Sequence, residues 1–254
     1  MSYSALNLAK KNNSAVISDL RNVNRIVEKI KREENRVVYG RIGDKETLQV
    51  IGIVDASYKS DEKSIGGMMI VLADDKMTRA SPLMWKAKQI DRVCHSSKDA
   101  ETLAMNKMID ELVYMARHVE ILLFGDYRKR MPVRVLTDSE PTLESIASTK
   151  QIERKGLRMT VQEMKEKLRD GEIKSYQWVS TKQIWADGLT KEMEMAEGLR
   201  KLLKEGKCEM VKEDINKVIC ENEEIKMLNI RNRKKAEMRE EVIEIGRASC
   251  RERV

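Results

Sequence analysis

Four acids in this chain stand where strands and helices begin or end. Asp55 lies inside the apolar run "IGIVDASY", Glu101 at the start of a long helical pattern, Asp138 at the end of "VRVLTD", and Asp187 after the Trp-Ala pair of "WADGLTK". Each has an ordinary explanation. Asp138 can cap the helix that Pro141 starts, Glu101 suits the dipole of a first helical turn, and Asp187-Gly188 can be a turn. Asp55 is the hardest to explain this way, because an unpaired carboxylate in an apolar strand costs several kcal/mol. If the first and fourth strands are neighbours, Asp55 and Asp138 lie side by side. Adjacent carboxylates repel, and one stays protonated at neutral pH unless a cation compensates. Hard divalent ions with oxygen ligands supply that charge. A pair of them can stabilise the attacking and leaving oxygens of a phosphodiester displacement. No His or Cys cluster competes, since His95 and His118 stand alone.

The elements that must position these acids follow from periodicity. Residues 15 to 32, with Val16, Ile17, Leu20, Val23, Ile26, Val27 and Ile30, have helical spacing and a basic face. Gly40 and Gly43 mark a turn. Leu48 to Tyr58, residues 64 to 74 and residues 81 to 91 read as an antiparallel meander, with Pro82 at the start of its third strand, where a missing N–H is tolerated. Ser96 and Asp99 form a capping box before a helix over residues 97 to 124. "MPVRVLTDSE" is a fourth strand, followed by a short helix from Pro141 and an amphipathic helix over 156 to 170 that Gly171 closes. "IKSYQWVST" is a fifth strand, and from Asp187 the pattern is helical to about Lys204. The expected fold is α/β, a mixed five-stranded sheet flanked by helices. Its expected domain spans residues 46 to 204, with a helical lead-in over 1 to 45 and a charged helical tail over 205 to 243. Residues 244 to 254, "EIGRASCRERV", read as a translated sequencing-adapter oligonucleotide and not as part of the fold.

Composition narrows the function classes. The 254 residues carry 49 Lys and Arg against 42 Asp and Glu, for a net charge of +7, which favours a polyanionic partner. No apolar run is long enough for a membrane span, and the N-terminus has no secretory signal. The four cysteines match neither a zinc site nor a disulfide framework, so a reducing, intracellular compartment is expected. The sixteen Met read first as packing. Lys76, Arg79, Lys86, Lys88 and Arg92 are candidate phosphate contacts, as are Arg128, Lys129 and Arg130, each with a solvated face as the alternative. Gly66 and Gly67 lack side chains, so a nucleic-acid backbone could approach there; a bulge or bend explains them equally well. "RNRKK" at 231 to 235 is a basic run with no assignable partner.

The motifs resemble the ribonuclease H domain at the C-terminal end of copia-type retrotransposon Pol polyproteins. "GIVDASY" is similar to the family's G-[YF]-x-D-A-D-[WY], and "MWKAKQIDRVCHSSKDAETLAM" to its W-x-S-K-K-Q … S-S-T-E-A-E-Y-x-A block. "LTDSEPTLESIAS" is similar to D-N-x-[SA]-A, and "DGEIKSYQWVSTKQIWADGLTK" to D-G-x-I … V-x-T-x-x-x-x-A-D-x-L-T-K. The likeness runs in order from about Gly52 to Lys191, and residues 15 to 45 resemble the segment that follows the polymerase. It implies a ribonuclease H-like fold and two Mg2+ ions, with Mn2+ as a substitute, held by Asp55, Glu101, Asp138 and Asp187. It implies cleavage of the RNA strand of an RNA–DNA hybrid during reverse transcription, in a cytoplasmic particle or the nucleus, with the reverse transcriptase region of the same polyprotein as partner. Four positions depart from the pattern: Ser57 for a second Asp, Thr102 for an aromatic, Ser139 for Asn, and Gln151 for His. None removes a ligand, yet they leave a catalytically decayed, nucleic-acid-binding module as the alternative. A strand transferase on the same fold would need three acids, and "ADGLTK" speaks against it.

Overall fold

The structure is a computed structural model that describes residues 2–11, 13–32, 37–60, 63–128, 131–148, 152, 154–191, 197–208 and 217–220. Its centre is β1 (Leu48–Ser57), whose run "LQVIGIVDAS" is apolar on both faces because both are covered. β1 pairs antiparallel with β2 (Ile65–Asp74), which pairs antiparallel with β3 (Ala80–Gln89). On its other side β1 pairs parallel with β4 (Val133–Thr137), and β4 pairs parallel with β5 (Ser175–Trp178). These five strands form the mixed sheet expected of a ribonuclease H-like fold, and a sixth strand, β6 (Lys217–Cys220), extends it beyond β5 to give the order β3-β2-β1-β4-β5-β6. Pro82 sits where the β2–β3 register shifts, opposite Val71, a position that needs no ladder N–H.

Two cores follow from the alternation of side chains along β1. Val50, Val54 and Ala56 face α3 (Ser97–Phe124) and pack with Met68, Met105, Met108 and Leu112. α3 passes so close that a Cβ on Gly52 would lie 2.3 Å from Met108 Sδ. Ile51 and Ile53 face the other way, into a core with Met69, Val71, Leu136, Ile184 and Trp185. Many of the methionines are therefore packing residues, as expected. α4 (Glu140–Ala147) and α5 (Lys155–Arg169) complete the α3 side. The capping box forms: Ser96 Oγ accepts from the Asp99 N–H at 3.2 Å.

Within the expected helical lead-in, α1 (Ser2–Lys10) precedes α2 (Ile17–Arg32) and packs on β3. Two other segments differ from the sequence expectation. The helical pattern after Asp187 is split. α6 spans only Asp187–Thr190 and stops where Lys191 adopts an extended backbone, and α7 covers Glu197–Glu205. α6 packs mainly on β2 and β1, while α7 packs on β3, sends Leu202 into the same core as Trp185, and leads to Cys208, whose N–H reaches Thr78 O. In the charged tail, residues 217 to 220 are not helical. They form β6 (Lys217–Cys220), antiparallel to β5, and satisfy the backbone groups of what would be an edge strand. The remaining tail residues (209–216 and 221–243), "RNRKK", and residues 244–254 lie outside the described residues. Among the described residues no helix is long and apolar enough to cross a membrane.

Candidate metal centre

The parallel register brings two of the acids together. Pairing runs from Val50 opposite Val133 to Ile53 opposite Leu136. Continued by two residues, it sets Asp55 opposite Asp138. Glu101, in the second turn of α3, is held by a hydrogen bond from the Ala56 backbone N–H. One carboxylate oxygen from each of Asp55, Glu101 and Asp138 lies within 4.8 Å of the others.

Each acid is fixed by its surroundings. Asp55 is buried, and its Oδ2 accepts a hydrogen bond from Thr190 Oγ1 of α6. The loop carrying Asp138 is pinned at its backbone: Asp138 O accepts from Trp178 Nε1 and from the Glu140 N–H, both at 3.0 Å. The N-cap of α4 is Ser139, so Asp138 is not the capping residue. Glu101 is not in the first turn either; the first-turn acid of α3 is Asp99, so the dipole explanation belongs there.

The electrostatics are those of a site built for positive charge. Burial raises the pKa of Asp55; the Thr190 hydrogen bond and the Lys191 charge oppose this, and the charges of Asp138 and Asp187 add to it. Burial pushes Glu101 up to about 9, helped by the neighbouring Asp55 and Asp138 charges. Glu101 Oε2 is buried and has no hydrogen-bond partner. Such an oxygen is costly unless protonated or bound to a cation. Three hard oxygen donors in one group fit a divalent ion such as Mg2+.

Asp187 is placed differently. It opens α6 beside the group, and its Oδ1 accepts from Lys191 Nζ, one turn on. Its charge still reaches Asp55. Burial works against the Lys191 ammonium, but its bond to Asp187 and the charges of Asp55, Asp187 and Asp138 hold its pKa above the ordinary value. Lys191 and Thr190 belong to the "ADGLTK" motif, and the sequence reading gave neither a role. Their signals were available: Lys191 follows Asp187 at the helical i, i+4 spacing.

The expected substrate contacts change. Gly66 and Gly67 are buried, and what approaches them is the protein itself. A Cβ on Gly66 would lie 3.0 Å from Ala104 Cβ in α3. One on Gly67 would lie 2.7 Å from Thr190 Cγ2 and 2.9 Å from Ala186 O. Neither glycine is open to a nucleic-acid backbone. The five cations do not form one patch. Lys76 and Arg79 lie at the β2–β3 turn, whereas Asp55 pairs with Gly67, seven residues along β2 from Asp74, or about 23 Å at strand rise. Lys86 pairs with Glu111 at 3.0 Å and Lys88 with Asp91 at 3.5 Å. Arg79 donates to Arg41 O at 3.2 Å and Arg92 to Gly156 O at 3.4 Å. Arg128 pairs with Asp126 at 2.6 Å, and Lys129, Arg130 and Gln151 lie outside the described residues. His118 Nδ1 is bonded to Tyr114 O at 2.8 Å. Arg154, at the start of α5, pairs with Asp99, a link between α3 and α5 that local patterning does not contain.

No protein-family model and no curated protein matches the chain. Several solved structures do. The N-terminal RNase H domain of a Mycobacterium tuberculosis protein, fused to maltose binding protein, is 16% identical over 57% of this chain and 92% of its own, at a TM-score of 0.41. LC11-RNase H1, solved in complex with an RNA/DNA hybrid, is 15% identical over 57% of this chain and 95% of its own, at 0.41. The protease-reverse transcriptase of prototype foamy virus is 17% identical over 60% of this chain and 21% of its own, at 0.33.

Proposed function

We propose that this chain is a divalent-metal-dependent endonuclease of the ribonuclease H class, cutting the RNA strand of RNA–DNA hybrids. The observation that supports this best is the convergence of Asp55, Glu101 and Asp138 at the end of the central strands, with Glu101 Oε2 buried and unpartnered. Asp55, Glu101 and Asp138 would hold Mg2+ or Mn2+, with Asp187 completing the set from the mouth of α6. When bound there, such ions supply charge stabilisation at a phosphodiester and activate water. The chain's own part is positional. β1 and β4 fix two carboxylates side by side, the Ala56 N–H aims the third, and Thr190 orients Asp55. Preorganised charges of this kind need no rearrangement as the reaction proceeds.

The substrate class, the copia-type polyprotein context, the partnership with a reverse transcriptase region and an intracellular setting rest on the sequence motifs. Gly66 and Gly67, packed against α3 and α6, lend the substrate class no support. A second reading, a decayed module that binds nucleic acid without cutting it, is favoured by one observation: Asp187 is ion-paired to Lys191 outside the three-acid group. One assay separates the two. Labelled RNA–DNA, DNA–DNA and single-stranded RNA of one sequence are incubated with Mg2+ at low salt, with a chelator control. Cutting of the hybrid's RNA strand alone supports the proposal. Equal cutting of DNA–DNA points to a general nuclease, and tight binding without cutting points to the decayed module.

A further inference from the structure

Two of the positions that depart from the family pattern, Thr102 and Ser139, directly follow Glu101 and Asp138 in sequence. In the fold they are linked through a third residue. Thr142 Oγ1, on α4, lies 2.9 Å from Ser139 Oγ and 3.3 Å from Thr102 Oγ1. Thr102 and Thr142 are fully buried and Ser139 nearly so. The residue after one acid is thus hydrogen-bonded, through a single hydroxyl, to the residue after another.

Ser139 shows that this link takes precedence over the usual local one. An N-cap serine ordinarily accepts from the free N–H groups of its helix. Here the cap makes no side-chain bond to α4's backbone, and its hydroxyl turns to Thr142. The Ser139 N–H is in turn held by Thr137 Oγ1 at 3.1 Å. The stretch from Thr137 to Ser139, which carries Asp138, is therefore tied to α3 one residue beyond Glu101. The two carboxylates repel, and without such a tie α3 and the β4–α4 loop could ease apart.

We infer that Thr142 is a positioning residue: the Thr102–Thr142–Ser139 hydroxyl chain sets the spacing of Glu101 and Asp138 and so the affinity of the site for a divalent ion. This rests on the metal-centre reading above. A methyl in place of the central hydroxyl keeps the volume but leaves the two outer hydroxyls without their shared partner.

The test is Mn2+ binding to the full chain by calorimetry, alongside melting in chelator. Thr142→Val should raise the Kd for Mn2+ about five- to tenfold. Thr142→Ser, which restores the hydroxyl, should stay within about twofold of wild type. If Thr142→Val melts lower in chelator but binds Mn2+ as wild type does, the hydroxyl only packs and the inference is overturned. Should Thr142→Val not fold, Thr102→Val cuts the same chain at its α3 end and must raise the Kd likewise; unchanged affinity there overturns the inference as well. Absence of Mn2+ binding by the wild-type chain would instead sink the metal-centre reading, and this inference with it.

Discussion

Lys191 Nζ reaches back one turn to Asp187 Oδ1, which places an ammonium beside three carboxylates that repel one another. From outside the three-acid group, its charge still acts on Asp55 and Asp138. Lys191→Met should therefore lower the melting temperature in chelator, because Asp187 loses its partner and Asp55 its nearest cation. The pair is partly exposed, so the loss should be about 1 kcal/mol, or about 2–4 °C. The rise in melting temperature on adding Mg2+ should be larger in the variant than in the wild type. Equal melting in chelator would show that the ammonium does not stabilise the cluster.

Gly67→Ala separates packing from substrate contact. The new Cβ meets Ala186 O and Leu189 Cβ, both at 2.9 Å, besides Thr190. A backbone oxygen cannot turn aside, so β2 and α6 must part. Overpacking of this kind typically costs about 1–3 kcal/mol. Denaturant unfolding should show that loss, and Asp187 should shift with α6. A variant of wild-type stability that binds hybrid less tightly would restore Gly67 as a substrate contact.

The Asp99–Arg154 pair contributes to acid stability. Burial alone would raise the Asp99 carboxyl, but the His95 N–H, Arg154 and Ser96 together hold it below the ordinary aspartate range. A depressed folded-state pKa contributes stability above the unfolded value, near 3.9, and that contribution is lost as pH falls through the folded value. Unfolding free energies of the wild type and Asp99→Asn should thus differ most from pH 5 to 7 and converge toward pH 3. A constant difference across that range would mean that the side chain acts through packing alone.

How far the sequence revealed this arrangement depended on the kind of information each feature needs. "IGIVDASY" is apolar at successive positions, so a central strand with an anomalous acid was legible. That Asp138 stands opposite Asp55 was not, because periodicity carries no record of which strands pair or in what register. Gly66 and Gly67 announced a close approach but not by what; α3 and α6, more than thirty residues away in sequence, fill those spaces. The tail's charge suggested a helix, and only the unpaired edge of β5 explains why Lys217–Cys220 is a strand. The link from Glu101 to Asp138 through Thr142 is likewise tertiary.

Asp138→Asn tests the central claim most directly. Asp138's charge raises the pKa of both Asp55 and Glu101, so its removal should leave melting in chelator unchanged or slightly higher. The same change removes a metal ligand from a site whose charge stabilisation is typically about 3 kcal/mol or more, equivalent to roughly a hundredfold in rate. The measurement is the initial rate of RNA-strand cleavage in a labelled RNA–DNA hybrid with Mg2+, with circular dichroism melting on the same samples. The predicted result is a wild-type rate that chelator abolishes, and a fully folded variant at least about a hundredfold slower. A folded variant that keeps more than about half the wild-type rate would contradict the assignment of the site.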